Sequence, residues 1–378
     1  MKRVVLLRSN PVKPDPPVEK VALSLVNAGY RVTIVGWDRD SDYPLKNDTM
    51  LISGHRVRVV RFGIKAVFSG GLKKNLFPLI AFQMRLRSWL IRNRAKYDII
   101  HAFDFDTGFL ASRYARKYGK KFVYHILDYY VASHGLRGSA FEKPVVRLEN
   151  SVIDFADATV ICTEQRREQI AGANPKRLVV IHNTPSTAQI KPCPSKVKPT
   201  DRMKIVYVGI LESSRMLREI AAAVSENSDV EIHVGGFGTL DPFFTEMAQK
   251  HDNIFFYGRL PYDQTLSLEN ECDIMLAIYD PEVDNHRYAA PNKFYESLML
   301  GKPLVMVRGT GMSQIVEENA IGVLIDYSKE GFEDGINRLI GMKDGWKDIE
   351  VRMKTLYREQ FCWDEMERRL IQLYEQLQ

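Results

Sequence analysis

The sequence lacks any hydrophobic run long enough to cross a bilayer. A transmembrane α-helix needs ~20 predominantly apolar residues, and no stretch of this 378-residue chain approaches that length. The chain begins with only four uninterrupted apolar residues, Val4 to Leu7, before Arg8, which is too few for a secretory signal. Membrane-spanning and secreted proteins are therefore disfavoured, and we expect a cytoplasmic protein.

Cysteine is also scarce, and the four cysteines lie far apart, at Cys162, Cys193, Cys272 and Cys362. No two of them form the CxxC pair that many zinc sites contain. A disulfide framework is typical of short secreted chains rather than of one this long. We therefore expect reduced thiols and no metal site.

Glycine-rich phosphate loops are missing as well. A dinucleotide site of the GxGxxG type would place three glycines directly after a strand. The nearest candidates, which begin at Gly236 and Gly309, both lack the third glycine, and no GxxxxGK[ST] loop occurs. Dinucleotide oxidoreductases and P-loop NTPases are therefore disfavoured.

The composition indicates a folded chain of two domains. Hydrophobic residues make up 45% and charged residues 26% of the sequence, enough apolar material for sizeable cores. A chain of this length suits two units of roughly 150 to 200 residues each. The net charge of +6 is too balanced to indicate nucleic acid binding without a localised basic patch.

Short apolar runs alternate with longer amphipathic stretches, which predicts strand–helix–strand units around parallel sheets. In the first unit, Val4 to Leu7 predicts a strand, Asp15 caps a helix that starts at Pro16, and Gly29 ends it. A proline-rich stretch interrupts the alternation before it restarts. We therefore predict two doubly wound α/β domains, at residues 1–185 and 204–360, a linker at 186–203, and a closing helix at 361–378.

One segment combines a predicted anion-binding site with a carboxylate that could bind a sugar. Pro291 precedes a predicted helix whose first free N–H groups belong to about Asn292 to Phe294, and such a terminus attracts anions. Lys293 adds a positive charge there, and Glu296 lies one turn further along, where it could accept two hydrogen bonds from a sugar diol. The alternative is that Glu296 is simply a solvated helix residue.

Several segments resemble glycosyltransferase family 4, whose members are retaining enzymes. The sequence PNKFYESLMLGKPLV resembles its donor-site helix, VYVGILESSRMLREI the start of its nucleotide-binding domain, and HAFDFDTGFLASRYARKYGKKFVYHILDYY part of its acceptor domain. The similarity covers about residues 3–378. The resemblance implies the GT-B fold, two Rossmann-like domains with a cleft between them and a C-terminal helix that crosses back to the first domain. It also implies a place in the biosynthesis of surface polysaccharides or glycoconjugates.

The resemblance also implies the donor site. Glu296 matches the glutamate that holds the donor ribose, while Asn292 and Lys293 match the segment whose amides meet the diphosphate. Arg215 matches a basic residue that pairs with the phosphates, and an exposed helix-start arginine is the alternative. The remaining implied donor-binding residues are Gly209, Gly258, Arg259, Arg287 and Tyr288.

Tyr288 departs from the family pattern. The family has a pair of glutamates eight positions apart, and the first, which binds the hydroxyls of the donor sugar, would fall on Tyr288. Asp284, Asn285 and Arg287 are nearby substitutes. Two rival functions therefore remain: a non-catalytic protein that binds sugar nucleotides, and a sugar-nucleotide 2-epimerase, which can use the same fold.

In the first domain, polar residues follow two predicted strands. His101 and Asp104 belong at the carboxyl edge of the sheet, where doubly wound sheets bind ligands, and we expect them to contact sugar or acceptor as catalytic residues together with Glu296. Two interpretations of Asp106 are open: it caps the next helix near Thr107, or it forms a DxD metal site with Asp104. The resemblance implies that no divalent metal is needed. Asp128 ends the next strand and is assigned to the acceptor.

Residues 73–96 carry only basic charges, interleaved with apolar side chains. Such a segment can lie on the anionic inner face of a membrane, and a core helix with a basic outer face is the equal alternative. The reaction implied is transfer of a glycosyl group, with retention, from a nucleoside-diphosphate sugar (UDP or GDP) to a hydroxyl of a glycan or lipid-linked acceptor. No cofactor beyond this co-substrate is expected, and nucleic acid is not an expected partner.

Overall fold

The computed structural model describes residues 1–12, 15–67, 71–187, 190 and 197–377, and the side chains of residues 71–73 are not described. The chain divides into two compact units: unit 1 comprises Met1–Asn183 with Met366–Gln378, and unit 2 comprises Thr184–Glu365. Of the predicted linker, residues 188–189 and 191–196, with Cys193, lie outside the described residues.

Unit 1 contains, in its described part, an eight-stranded sheet in the order β3-β4-β2-β1-β5-β6-β7-β8. The strands are β1 (Arg3–Leu7), β2 (Arg31–Asp38), β3 (Tyr43–Ile52), β4 (His55–Gly63), β5 (Ile99–Phe103), β6 (Lys121–Ile126), β7 (Ala158–Ile161) and β8 (Leu178–Val180). All neighbours pair in parallel except β3 and β4. The helices are α1 (Pro16–Asn27), α2 (Gly71–Arg92), α3 (Asp104–Tyr118), α4 (Tyr130–Ser133) and α5 (Glu142–Phe155).

The apolar runs in the sequence predict the buried parallel strands of unit 1 but not its edge strand, β3. Leu6 and Leu7 of β1 are fully buried, as parallel strands with helices on both faces require. Most residues of β3 are exposed, so its sequence carries no continuous apolar run and its hairpin with β4 went unpredicted. The predicted helix start is confirmed in α1, where Oδ1 of Asp15 accepts a hydrogen bond from the Val18 N–H.

Unit 2 contains, in its described part, six parallel strands in the order β11-β10-β9-β12-β13-β14. They are β9 (Met203–Leu211), β10 (Val230–Gly238), β11 (Ile254–Phe256), β12 (Ile274–Ala277), β13 (Leu304–Val307) and β14 (Gly322–Ile325). This is the 3-2-1-4-5-6 order of Rossmann domains, which bind ligands where the order reverses. The reversal lies between β9 and β12, so the carboxyl end of β9 is the expected ligand position.

The helices of unit 2 cover the faces of its sheet. They are α6 (Leu217–Ser225), α7 (Asp241–Lys250), α8 (Tyr262–Glu271), α9 (Asn292–Leu300), α10 (Ser313–Glu318), α11 (Lys329–Gly341) and α12 (Trp346–Leu356). Gly301 ends α9 in the left-handed conformation. The last helix, α13 (Trp363–Glu375), has its residues from Met366 onward in unit 1. There Nη1 of Arg369 donates to the Val180 carbonyl at 3.1 Å.

Candidate functional site

In unit 2, charged and aromatic side chains meet at the carboxyl end of β9. Arg215 lies in the short 3-10 turn that follows this strand. Its Nη1 lies 2.9 Å from Nε2 of His286, and its guanidinium carbon lies 4.1 Å from the ring centroid of Tyr279. The aromatic ring and the imidazole thus hold the guanidinium in one place.

The hydrogen bonds of His286 define its protonation state. Its Nδ1 lies 2.9 Å from the carbonyl oxygen of Asp280, which can only accept, so Nδ1 carries the proton. Nε2 therefore accepts from Arg215. Burial lowers the pKa of His286, and the charge of Arg215 lowers it further, so the ring is neutral at pH 7.

Lys293, the second residue of α9, is buried against the end of β9. Its Nζ lies 4.6 Å from the ring centroid of Tyr207. Burial by itself lowers the pKa of Lys293, but Tyr207, Tyr279 and the carboxylates of Glu296 and Glu269 outweigh it, and the net direction is upward. The group is therefore a fixed cation.

Gly209 provides the room for this cation. A Cβ atom at Gly209 would lie 2.5 Å from Nζ of Lys293, closer than any real Cβ contact. Glycine at this position therefore lets the ammonium group approach the backbone at the end of β9.

Glu296, one turn further along α9, is also buried, and its Oε1 accepts a hydrogen bond from the Tyr262 hydroxyl at 2.9 Å. Glu269 of α8 is buried nearby, and among the described residues neither of its carboxyl oxygens has a hydrogen-bond partner. Burial and the charge of Glu296 raise the pKa of Glu269 well above its usual value, against the opposing effect of Lys293. Glu269 thus holds its proton more tightly than an exposed glutamate does, and the charges of Glu296 and Lys293 act on it in opposite directions.

The N-terminus of α9 provides backbone donors beside this pair. Pro291 occupies the N-cap position, and its side chain has no oxygen that could accept from the first N–H groups. Asn292 is exposed at this end, whereas Lys293 is buried directly behind it. The Phe294 N–H donates to the Pro291 carbonyl at 3.0 Å, so the prediction that it is free is wrong. The predicted anion-binding site therefore combines the N–H groups of Asn292 and Lys293 with the buried ammonium of Lys293.

The other predicted donor residues lie on loops of the same unit. Gly258 has φ +62° and its carbonyl accepts from the Gly236 N–H at 2.8 Å, so its backbone conformation requires glycine. The guanidinium of Arg259 lies 4.6 Å from the ring centroid of the half-exposed Phe237. Tyr288 is buried in a 3-10 turn, with the exposed Arg287 5.6 Å from its ring centroid. The position of the missing glutamate is thus covered by protein, and the donor roles of Arg287 and Tyr288 stay predictions.

In unit 1, Asp104 lies at the carboxyl end of β5 in a strained conformation. Its φ is +57°, a region that residues other than glycine rarely occupy. Oδ1 accepts from the N–H groups of Leu127 and Asp128 at 2.8 and 3.0 Å, and Oδ2 forms an ion pair with Nη1 of Arg8. Since strain of about 1–3 kcal/mol persists only where surrounding contacts enforce it, these bonds hold the carboxylate in place.

Arg8 follows β1 and joins two carboxylates. Its Nε bonds Oδ2 of Asp15 at 2.9 Å, and Nδ2 of Asn10 bonds the same oxygen at 2.7 Å. Burial by itself lowers the pKa of Arg8, but Asp104 and Asp15 reverse that effect and raise it. The end of β1, the start of α1 and the end of β5 are thus joined at one edge of the sheet, where its strand order reverses.

His101 lies inside unit 1 rather than at its surface. It is fully buried, with Nδ1 2.8 Å from the Tyr374 hydroxyl and Nε2 3.1 Å from Nδ1 of His125. Burial lowers the pKa of His101 to about 3, so the ring is neutral. The structure therefore does not bring His101 together with Asp104 at the edge, and its catalytic role stays a prediction.

The neighbouring carboxylates have separate partners. Oδ2 of Asp106 accepts from the Ser9 hydroxyl at 3.0 Å. The prediction that Asp106 caps a helix near Thr107 is wrong: α3 begins at Asp104, because the reversal at that residue already starts the helix. Asp128 is exposed, and its Oδ1 accepts a hydrogen bond from the buried Arg166 at 3.2 Å. The buried arginine therefore fixes the orientation of the side chain that is assigned to the acceptor.

Two properties of the described residues bear on metal binding and on membrane spanning. Nowhere in the described ranges do three or more His, Cys, Asp or Glu side chains gather as metal ligands would. Among the helices as described, none combines the length and apolar character needed to pass through a bilayer.

Sequence reasoning missed the partners that hold these groups. Arg8 directly follows the buried strand β1. The criterion applied to His101 and Asp104, a polar residue at the end of a strand, therefore selects Arg8 as well. His286 and Tyr262 were not recoverable in this way, because they come from a loop and a helix start that approach Arg215 and Glu296 only in the folded unit.

Family models and solved structures place the chain among known proteins. Residues 16–184 match the model of the glycosyl transferase 4-like domain, and residues 202–342 match that of glycosyl transferases group 1. No curated protein matches the sequence significantly.

The solved structures that resemble the chain are distant in sequence. A sucrose-phosphate synthase from Thermosynechococcus elongatus has a TM-score of 0.78 at 15% identity, with 100% of this chain and 99% of that one covered. HepE from Anabaena in complex with UDP has a TM-score of 0.71 at 16% identity over 100% of both chains, and its complex with UDP-glucose has 0.69 at 14% identity over 99% of both. At identities this low, the structural similarity establishes the fold alone, and that fold is GT-B.

Proposed function

Because this chain belongs to the GT4-like glycosyltransferases, we propose that unit 2 binds a nucleoside-diphosphate sugar and that the sugar is transferred, with retention, to an acceptor hydroxyl. The observation that carries the proposal is the position of Arg215, Lys293 and the N-terminus of α9 at the strand-order reversal of unit 2. A diphosphate is the ligand that two fixed cations and a row of N–H groups would bind most strongly. HepE, a structural neighbour, binds UDP and UDP-glucose, which supports uridine among the two nucleotides expected here, uridine and guanosine.

The chemistry follows from where charge develops. The bond between the anomeric carbon and the diphosphate oxygen breaks, and negative charge grows on the leaving phosphate. Arg215, Lys293 and the helix N–H groups stabilise that charge, which lowers the barrier. A new bond forms from the acceptor oxygen to the same face of the anomeric carbon, and the leaving phosphate takes the acceptor proton. No protein nucleophile and no metal ion are assigned, because the cations supply the needed charge.

Glu296 is assigned to the ribose hydroxyls. Its carboxylate is buried, oriented by Tyr262 and one helical turn from Lys293. A carboxylate accepts two hydrogen bonds, so it suits a vicinal diol. Glu296 therefore binds the nucleotide rather than moving protons.

Unit 1 is assigned to the acceptor, a glycan or lipid-linked hydroxyl compound of surface polysaccharide or glycoconjugate biosynthesis. The strained Asp104 and the exposed Asp128 are neighbours in the fold, because the N–H groups of Leu127 and Asp128 both donate to the Asp104 carboxylate. Carboxylates at a sheet edge accept hydrogen bonds from sugar hydroxyls. We propose peripheral membrane association through residues 73–96, which fits a lipid-linked acceptor.

The test is a panel of UDP-, GDP-, ADP- and dTDP-sugars in thermal shift, followed by product analysis. The expected result is stabilisation by one nucleotide family and, with the matching acceptor, release of the nucleoside diphosphate and a product of retained anomeric configuration by NMR. An inverted product would overturn retention. Absence of binding by the whole panel would overturn the donor site.

The non-catalytic alternative rests on Tyr288, which is buried where the family has a sugar-binding glutamate. It gives a distinct outcome: sugar nucleotide binds, but the donor is not consumed with any acceptor. An altered nucleotide sugar released without acceptor would instead identify an epimerase.

A further inference from the structure

Three helices of unit 1 form one surface, which we name the α2–α3–α5 face. α3 packs between α2 and α5. α2 and α3 are the helices that follow β4 and β5, so they begin at the carboxyl edge of the sheet. The edge that holds Asp104 and Asp106 therefore borders this face. Gln83 of α2 makes the link directly, since its amide donates to the carbonyl oxygen of Asp106.

α2 has two apolar stripes, and only one of them is buried. Phe82, Leu86 and Leu90 pack into the core of unit 1. The second stripe faces solvent and comprises Leu76, Phe77, Ile80 and Met84, which are 44%, 82%, 45% and 58% exposed. Their spacing of three and four residues places them on one side of the helix. The two interpretations of residues 73–96 are thus not exclusive, because α2 is a core helix that also presents an apolar outer stripe.

α5 adds two exposed apolar side chains to the face. Phe141, at the N-cap of α5, is 68% exposed, and Leu148 is 41% exposed. Exposed apolar side chains that gather on neighbouring elements mark an interaction surface more often than scattered ones do.

Basic side chains surround these apolar groups. The exposed basic residues of the face are Lys74, Arg87, Arg92, Arg94, Arg113, Arg116, Lys117, Lys143 and Arg147. α2 contains no acidic residue. The carboxylates of α3 are bound to Arg8 and Ser9, and Glu149 of α5 is fully buried. Two further carboxylates of α5, Glu142 and Asp154, are outnumbered by the nine exposed basic residues. The face is therefore strongly cationic toward solvent.

We propose that the α2–α3–α5 face binds the surface of an anionic lipid bilayer. Basic heads that reach lipid phosphates, with apolar groups inserted between them, are the combination that interfacial binding needs. A second copy of this chain is a poorer occupant, because the two cationic faces would repel. The inference rests on the membrane contact within the proposed function and extends it from residues 73–96 to α3 and α5, beside the acceptor edge.

The experiment is co-sedimentation of the full chain with vesicles of phosphatidylcholine alone and of phosphatidylcholine mixed with phosphatidylglycerol. Binding to the mixed vesicles is expected to exceed binding to the neutral ones by more than about tenfold and to weaken in high salt. Arg113→Glu with Arg116→Glu and Lys117→Glu should lower the partition coefficient by more than about tenfold. Phe77→Asn with Met84→Asn should lower it by about tenfold at constant charge.

Matched controls lie in unit 2: Lys343→Glu with Lys347→Glu for charge, and Val351→Asn for an exposed apolar residue. These should sediment like the parent. Equal binding by the face variants and the parent would overturn the proposal, as would release by soluble glycerol phosphate, which would indicate a phosphate site rather than a bilayer surface. Binding of duplex DNA in preference to the vesicles would also overturn it. Thermal shift with UDP, measured on the same variants, tests the donor site separately. A protein that does not bind UDP would contradict the donor-site proposal without changing the result with vesicles.

Discussion

The ammonium group of Lys293 lies over the ring of Tyr207, with Nζ 4.6 Å from the ring centroid. The two residues come from α9 and β9, which are distant in sequence but meet where the strand order of unit 2 reverses. The aromatic face stabilises the buried charge, and Gly209 leaves the space that the charge occupies. The cation is thus placed by tertiary packing before any ligand arrives.

Gly209→Ala should weaken binding of the nucleoside diphosphate. The new Cβ would displace Nζ of Lys293, which is the end of a flexible side chain, so we expect affinity to fall about tenfold while the melting temperature changes little. Isothermal titration with UDP, or with whichever nucleotide the panel selects, measures this. Gly341→Ala is the control, since its Cβ would meet nothing within 4 Å. Unchanged affinity in Gly209→Ala would remove Lys293 from the diphosphate site.

Arg215→Lys should also weaken diphosphate binding although it keeps the charge. A lysine cannot bind two phosphate oxygens as a fork or stack on Tyr279, so we expect a loss of about tenfold, and more for Arg215→Ala. Arg218→Lys is the control, because Arg218 stacks in the same way on Phe243 but lies outside the proposed site. Similar losses in both lysine variants would indicate a general packing effect instead.

Glu296→Ala should abolish discrimination between ribose and deoxyribose, because alanine has no oxygen that accepts from the 2′-hydroxyl. In the parent, the carboxylate accepts from the 2′-hydroxyl, and we expect UDP to bind about tenfold more tightly than 2′-deoxy-UDP. The variant should bind both nucleotides alike, whereas the exposed Glu330→Ala should retain the preference. Parent protein that binds the two nucleotides equally would contradict the ribose assignment.

Asp104→Asn should destabilise unit 1 by about 1–3 kcal/mol, because the half-buried Arg8 would keep only Asp15 as a charged partner. Denaturant titration measures the loss. Asp98→Asn, which breaks the more exposed pair with Arg3, should cost less than about 1 kcal/mol. An equal cost at the two positions would mean that Arg8 is solvated well enough to lose a partner.

Buried histidines should make unit 1 acid-sensitive. Burial lowers the pKa of His101 and of His182 to about 3, and that of His125 well below its usual value. The unfolded chain takes up these protons near pH 6.5, whereas the folded unit does not. The contribution of these three histidines to stability is therefore constant above pH 6.5 and falls as pH drops toward 3, by ~1.4 kcal/mol per pH unit for each histidine.

The measurement is the free energy of unfolding at a series of pH values. The fluorescence of Trp37 and Trp89 reports the unfolding of unit 1, in a background of Trp346→Phe and Trp363→Phe. His101→Gln should reduce the slope by one histidine, and the exposed His55→Gln should not change it. An unchanged slope in His101→Gln would show that His101 is protonated in the folded unit.

Much of the fold was readable from local sequence. Apolar runs such as Val4 to Leu7 mark buried strands, and Asp15 with Pro16 marks a helix start, because both signals depend on neighbours in the chain. β3 was missed because an edge strand exposed to solvent carries no apolar run. The resemblance identified Arg215, Lys293 and Glu296, but not the residues that hold them.

The sequence by itself determined two doubly wound domains, a cationic helix start at Lys293 and the departure at Tyr288, because periodicity, capping and motif spacing are local properties. Only the tertiary structure decided which groups meet: that His286 receives the hydrogen bond of Arg215, that Glu269 has no hydrogen-bond partner in the described part of the chain, and that His101 is buried inside unit 1. Burial and long-range contact set the charge of each group, and neither can be read from neighbours along the chain.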